Sequence, residues 1–102
     1  MKKELNINDL TKIAGDVDRT LYGTKTNEHL LKHLRQEINE LEDELDDNIE
    51  ISTKQHFEQL KELGDVLFCV LSLADQNNLD AGHALSLTIT KLQERIKFNI
   101  NE

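Results

Sequence analysis

The sequence predicts an all-α protein of four helices, and three observations carry that prediction. The chain of 102 residues contains no proline and only four glycines, so little in it opposes helix propagation. Charged residues make up 31% and aromatic residues 4%, which suits amphipathic helices around an aliphatic core better than a turn-rich β fold. Apolar residues recur at three- and four-residue intervals in four segments, each bounded by capping or turn residues.

The first helix is expected over about Asp9 to Leu21, with Leu10, Ile13, Ala14, Val17 and Leu21 on one stripe. Asn8 is read as its N-cap, and Gly23 marks the following loop. The second runs from about Thr26 to Leu45, where Leu31, Leu34, Ile38, Leu41 and Leu45 form a near-heptad seam. The acidic stretch Asp46 to Glu50 breaks that pattern. Ser52-Thr53-Lys54-Gln55 reads as a capping box opening the third helix, which continues to about Gln76. Asn77-Asn78 stops it, and Asp80 caps a fourth helix that runs to about Phe98.

The length suits one small domain over residues 1–102. Elongated helices of this size bury a core poorly without a partner, and the third helix sharpens that point. It is amphipathic up to Asp65, then apolar almost all round from Val66 to Ala74. Such a segment is normally buried on every side. The helices are therefore expected to pack into a bundle completed by a second protomer, as a homodimer or a dimer-of-dimers tetramer.

Twenty acids against 12 bases give a formal net charge of −8, the wrong balance for neutralising nucleic-acid phosphates. A bound divalent cation would relieve part of that acidity. The single cysteine, Cys69, rules out an intramolecular disulfide and fits a reducing compartment. No apolar run reaches membrane-spanning length, and Met1 to Asn8 lacks a signal-peptide core. The reading is a cytoplasmic protein with neither nucleic acid nor membrane as partner.

The acids are not scattered. Glu37, Glu40 and Glu44 share one face of the second helix, and Glu58, Glu62 and Asp65 share one face of the third. The first set lies roughly 100° around from the leucine seam, bordering the core. Antiparallel packing would set Glu37 and Glu40 opposite Glu62 and Asp65 across a cleft. Like charges at this spacing repel, and a hard divalent cation reverses the sign. A solvated acidic face is the plain alternative, strongest for Glu37, Glu40 and Glu44 taken alone. Glu62 and Asp65 stand at the mouth of a buried segment, which is less ordinary. Gly64 between them costs about 1 kcal/mol against alanine in a helix interior, and close approach by a neighbouring helix or ligand is one use for it.

Other polar features are weaker. Lys91 and Arg95, with Thr88, lie along one side of the last helix. They form either a solvated face offset by Glu94 or a cradle for an anion. His29 and His33 have i,i+4 spacing but no accompanying zinc-protease glutamate, and they read as surface histidines. Nothing near Cys69 would activate it as a nucleophile. A di-iron carboxylate bundle would need Glu-x-x-His pairs, which neither acidic motif supplies. A non-catalytic helical interaction module, binding through the leucine seam, is the rival from another class.

Glu37-x-x-Glu40, 21 intervening residues and Glu62-x-x-Asp65 together resemble the motif of the MazG-type, all-α nucleoside triphosphate pyrophosphohydrolases. The run Glu62-Leu63-Gly64-Asp65-Val66-Leu67-Phe68 is similar to the family's acidic-to-apolar run. Leu79-Asp80 and the last helix also sit where the family has them, so the resemblance spans about Leu30 to Arg95. One departure is Gln36, where the family often carries a second acid. The resemblance implies a four-helix MazG-like fold in which Glu37, Glu40, Glu62 and Asp65 bind magnesium, with manganese as a possible substitute. Glu40 would also orient the attacking water. A nucleoside triphosphate, by family preference a deoxynucleotide, would yield monophosphate and pyrophosphate in a house-cleaning role. Lys91 and Arg95 would then contact phosphate. The strip Cys69, Ser72, Leu73 and Gln76 would wall the nucleoside pocket, with Ser72 or Gln76 touching base or sugar.

Overall fold

A computed structural model of the chain describes residues 5–45 and 53–100. They form four helices: α1 Ile7–Tyr22, α2 Asn27–Glu44, α3 Thr53–Gln76 and α4 Ala81–Ile100. No strand occurs among the described residues. The helix boundaries follow local chemistry. At α1 the cap is Asn6, two residues ahead of the expected Asn8. Asn6 Oδ1 accepts from the Asp9 amide at 2.8 Å, and the Asp9 carboxylate accepts from the Asn6 amide at 3.4 Å. This reciprocal box satisfies more orphan donors than Asn8 could alone. Asn8 instead accepts from the Gly82 amide at 3.1 Å, tying α1 to the start of α4.

Gly23 ends α1 at φ 78°, ψ −177°, a conformation essentially restricted to glycine. The second helix starts one residue after Thr26, which serves as its cap by accepting from the His29 amide at 3.1 Å. Ser52, the expected cap of α3, lies outside the described residues. The start of α3 is held to the end of α2 by Gln55 and Gln59, which donate to the Glu44 carboxylate at 3.0 Å and its carbonyl at 2.9 Å. Asn78 leaves α3 in the left-handed region at φ 54°, which asparagine tolerates. Asp80 then caps α4 by accepting from the His83 amide at 2.8 Å.

The central element is α3, flanked by α1 and α2, while α4 packs chiefly against α1. The face of α1 that meets α3 shares only Ala14 with the expected apolar stripe. Thr11, Ala14, Gly15 and Asp18 are buried, whereas Leu10, Ile13, Val17 and Leu21 are 40–65% exposed. Small side chains let the two backbones approach closely, and the larger aliphatics are left on the adjacent face. At Gly15 an added Cβ would run into the Asp75 carboxylate, which Arg19 holds at 2.8 Å. Gly15→Ala is expected to lose about 1–3 kcal/mol by overpacking, as a lower urea midpoint with an unchanged m-value.

On α2 the seam also divides. Leu30 is buried and Leu34 and Leu41 are half-buried, but Leu31, Ile38 and Leu45 are exposed. The face turned to α3 includes His33, Glu37 and Glu44, all half-buried. The helix is thus rotated so that carboxylates, and not the whole leucine row, meet α3. Close approach, one use offered for Gly64, is not seen among the described residues, since a Cβ there would meet nothing within 4 Å.

Among the described residues, the apolar half of α3 is only partly covered. Cys69 and Ser72 are buried, yet Leu67 and Val70 are exposed. Together with Leu34, Leu71, Ala84 and Leu85 they line an apolar groove of about 540 Å3 between α3 and α4. The described side chains of α4 beyond Gly82 are all exposed, including Leu87, Ile89, Leu92, Ile96 and Phe98. The accessible surface is 8326 Å2 for 11.8 kDa, against roughly 5,900 Å2 for a compact monomer of that mass.

Candidate metal centre

The packing of α2 on α3 brings three carboxylates to one point. Glu37 and Glu40, one turn apart on α2, and Glu62 on α3 each place an oxygen within 4.8 Å of the others. Spacing of three residues keeps Glu37 and Glu40 on one face, and the rotation of α2 aims that face at α3.

Glu37 and Glu62 are half-buried, the Glu37 side chain being 14% exposed, and Glu37 is held by a neighbour. Its Oε1 lies 3.1 Å from His33 Nε2. Its Oε2 is buried without a hydrogen-bond partner, as is Oε2 of Glu62. The Glu40 carboxyl lies within 4.8 Å of both carboxylates, but it brings a donor only when a member of the set is protonated. Burial first, then hydrogen bonding and repulsion from Glu40, and then the charge of Asp65, push the Glu37 carboxyl above its ordinary range, with the His33 hydrogen bond pulling the other way. Burial, followed by the charges of Glu40, Asp65 and Glu37, raises Glu62 likewise.

These directions fix a pH dependence for the metal-free protein. Carboxyls whose folded-state pKa exceeds the unfolded value hold protons that the unfolded chain has released, so stability falls as pH rises between the two values. Asp16, lowered mainly by Arg19, and Asp80, lowered mainly by the His83 amide, act in the opposite sense. Their contribution is complete once pH passes the ordinary aspartate range, near 3.8. In the presence of EDTA, the melting temperature is expected to decline above pH 4.5, the ordinary glutamate value. A flat or rising profile across the next two pH units contradicts the assignment.

Asp65 is exposed and stands apart from the three converging oxygens. It shares with Glu37 the wall of an open cavity of about 400 Å3, closed on its other sides by Val17, Leu21, Tyr22, His33 and Phe68. A second cavity of about 420 Å3, lined by Tyr22, Lys25, His29, Lys32, His33 and Gln36, adjoins it through Tyr22 and His33. Lys25 pairs with the buried Asp18 at 3.2 Å and lies 4.6 Å over the Tyr22 ring.

The remaining residues singled out by sequence are placed elsewhere. Ser72 is buried in the α1–α3 interface, where its hydroxyl donates to the Ala14 carbonyl at 3.4 Å. Gln76 donates to Asn27 at 2.9 Å. Both border a gap of only about 10 Å3, scarcely room for one water. Lys91 and Arg95 are exposed on α4. The structure does not bring any of these four to the carboxylates within one copy of the chain.

His33 is the residue that sequence reasoning missed. It is half-buried, bonded to Glu37, and its Nδ1 lies 3.6 Å from the Cys69 thiol. The available signal was its position one helical turn before Glu37, on the same face of α2.

A family model for the MazG nucleotide pyrophosphohydrolase domain matches residues 25–98. The chain belongs to this family. The match takes in α2, α3 and most of α4, and so contains all three converging carboxylates of this MazG domain together with Asp65, His33 and Cys69. It extends beyond both ends of the stretch from Leu30 to Arg95. A search of curated proteins finds no match. Among the described residues of the MazG domain, no helix is long and apolar enough to cross a membrane.

Proposed function

We propose that this MazG domain hydrolyses nucleoside triphosphates, preferentially deoxynucleotides, to the monophosphate and pyrophosphate with magnesium as cofactor. The observation that carries the reading is the pair of buried, unpartnered oxygens, Glu37 Oε2 and Glu62 Oε2, converging with Glu40. Buried acceptors without donors are rare in folded proteins, and an all-oxygen set suits a hard cation. Glu37, Glu40 and Glu62 would hold the ion, with Asp65 beside them, and manganese could substitute. When bound, the ion supplies charge neutralisation on the polyphosphate and lowers the pKa of a bound water.

The chain's own groups account for the remaining requirements. Glu40 is the most exposed of the converging three, which suits it to orient the attacking water. The cavity walled by Val17, Leu21, Tyr22 and Phe68 offers about 400 Å3 beside the carboxylates, within the usual range for a small-molecule site. It is the proposed seat of the nucleoside, in place of the strip through Ser72 and Gln76. Lys91 and Arg95 remain the proposed phosphate contacts, in a site completed by a second protomer. The exposed groove between α3 and α4 supports that assembly. The domain is proposed to span residues 1–102, since α1 packs on α3 although it precedes the matched stretch. A cytoplasmic, house-cleaning role agrees with the lone reduced thiol.

The test is a panel of ribo- and deoxynucleoside triphosphates assayed with magnesium and with EDTA. Magnesium-dependent pyrophosphate release, strongest with deoxynucleotides, is expected. Orthophosphate as the sole inorganic product, or no hydrolysis of any member, overturns the proposal.

A further inference from the structure

We propose that His33 is a positioning residue of the metal centre, holding Glu37 by Oε1 so that Oε2 is presented to the ion, with Cys69 selecting the imidazole tautomer that does this. The inference rests on the metal-centre reading and adds to it a residue that does not itself touch metal or substrate. Three contacts in series carry it. Cys69 on α3 sits 3.6 Å from His33 Nδ1, and His33 Nε2 sits 3.1 Å from Glu37 Oε1. The remaining oxygen of Glu37 has no partner and is buried.

The proton placement follows from donor and acceptor capacity. An ionised glutamate only accepts, so Nε2 must carry the hydrogen that reaches Oε1. A neutral imidazole then has a lone pair on Nδ1, which the Cys69 S–H can meet as a donor. Cys69 is 2% exposed, and burial above all pushes its thiol up to about 11, so it keeps that hydrogen at neutral pH. A thiolate nucleophile is excluded on the same grounds. His33 as a metal ligand is also disfavoured, because both ring nitrogens already face partners.

The consequence is geometric. Left alone, Glu37 can rotate about its terminal bonds and offer either oxygen, or neither. Tethering Oε1 one helical turn back along α2 leaves a single oxygen directed at Glu40 and Glu62. Partners of this kind commonly change metal affinity by 10–100-fold when removed.

The experiment is Mn2+ binding by electron paramagnetic resonance to the wild type, His33→Leu and His33→Gln, with folding of each checked by circular dichroism. Glutamine keeps an N–H donor within reach of Glu37, and leucine does not. His33→Leu is expected to bind Mn2+ about tenfold or more weakly, with His33→Gln restored towards the wild type. Equal affinity of wild type and His33→Leu, or equal weakness of both variants, overturns the positioning role. A second readout needs no variant: 15N shifts of His33 in metal-free protein at about pH 8, where free imidazole is neutral. Hydrogen on Nε2 is expected, and hydrogen on Nδ1 alone overturns the proposal. A wild type that binds no Mn2+ removes the metal centre itself and the positioning role with it. A wild type that binds, matched by His33→Leu, removes only the latter.

Discussion

Glu62→Gln is expected to lower magnesium-dependent pyrophosphate release by at least about a hundredfold, the scale on which metal-site partners and charge-stabilising groups act. The same substitution should raise the melting temperature of the metal-free protein at neutral pH. Both effects have one origin. Glu62 stands within reach of Glu37 and Glu40, and its unpartnered oxygen is buried, so the folded chain bears repulsion that the unfolded chain escapes. Glutamine removes the charge, keeps the volume and brings an N–H donor to carboxylates that have too few. A cation needs the charge that folding would rather lose. Wild-type and variant melting curves in EDTA, set beside their activities in magnesium, read both signs. Loss of activity accompanied by loss of stability would instead point to an ordinary structural glutamate.

If the proposed assembly with a second protomer forms, Leu67→Asp is expected to leave the protein monomeric and to lower its melting temperature markedly. Leu67 is 51% exposed in one chain and lines the groove of about 540 Å3 between α3 and α4. A carboxylate there is harmless if the groove faces water. Against a second copy it must be desolvated without a partner, at a cost of several kcal/mol. Light scattering separates these cases. An oligomeric wild type whose melting temperature rises with protein concentration, beside a monomeric variant, is the expected pair. A wild type that is monomeric at micromolar concentration, with Leu67→Asp equally stable, contradicts the assembly.

The helices were legible because their signals are local. Asp80 and the Asn77-Asn78 stop each act within a few residues of where they stand, and the structure uses them as read. Asn6 displaced Asn8 because a reciprocal box with Asp9 satisfies two groups. The inward faces were harder. Periodicity shows that Leu10, Ile13, Ala14, Val17 and Leu21 share a stripe, but not that of these Ala14 alone would be buried, with Thr11, Gly15 and Asp18. An amphipathic helix that meets its own chain with one face and leaves a second apolar face open has two candidate interiors, and periodicity does not rank them.

At the site, the i,i+3 spacing of Glu37 and Glu40 was visible in sequence, and so was Glu62 on a facing helix. Their convergence depends on the rotation of α2, which the leucine seam misassigned by pointing Leu31 and Ile38 inward. His33 escaped for a related reason. Without knowing that α2 turns its carboxylate face to α3, nothing distinguishes it from His29. The Cys69 contact spans 36 positions, and no local pattern encodes it.

The central claim is that Glu37, Glu40 and Glu62 form a divalent-cation site. Crystals grown with Mn2+ and measured for anomalous scattering test it most directly. The account predicts an anomalous peak bonded to oxygens of these three carboxylates, with Oε2 of Glu37 among the ligands and Oε1 still held by His33. No peak at this position, with Mn2+ bound elsewhere or not at all, would contradict it.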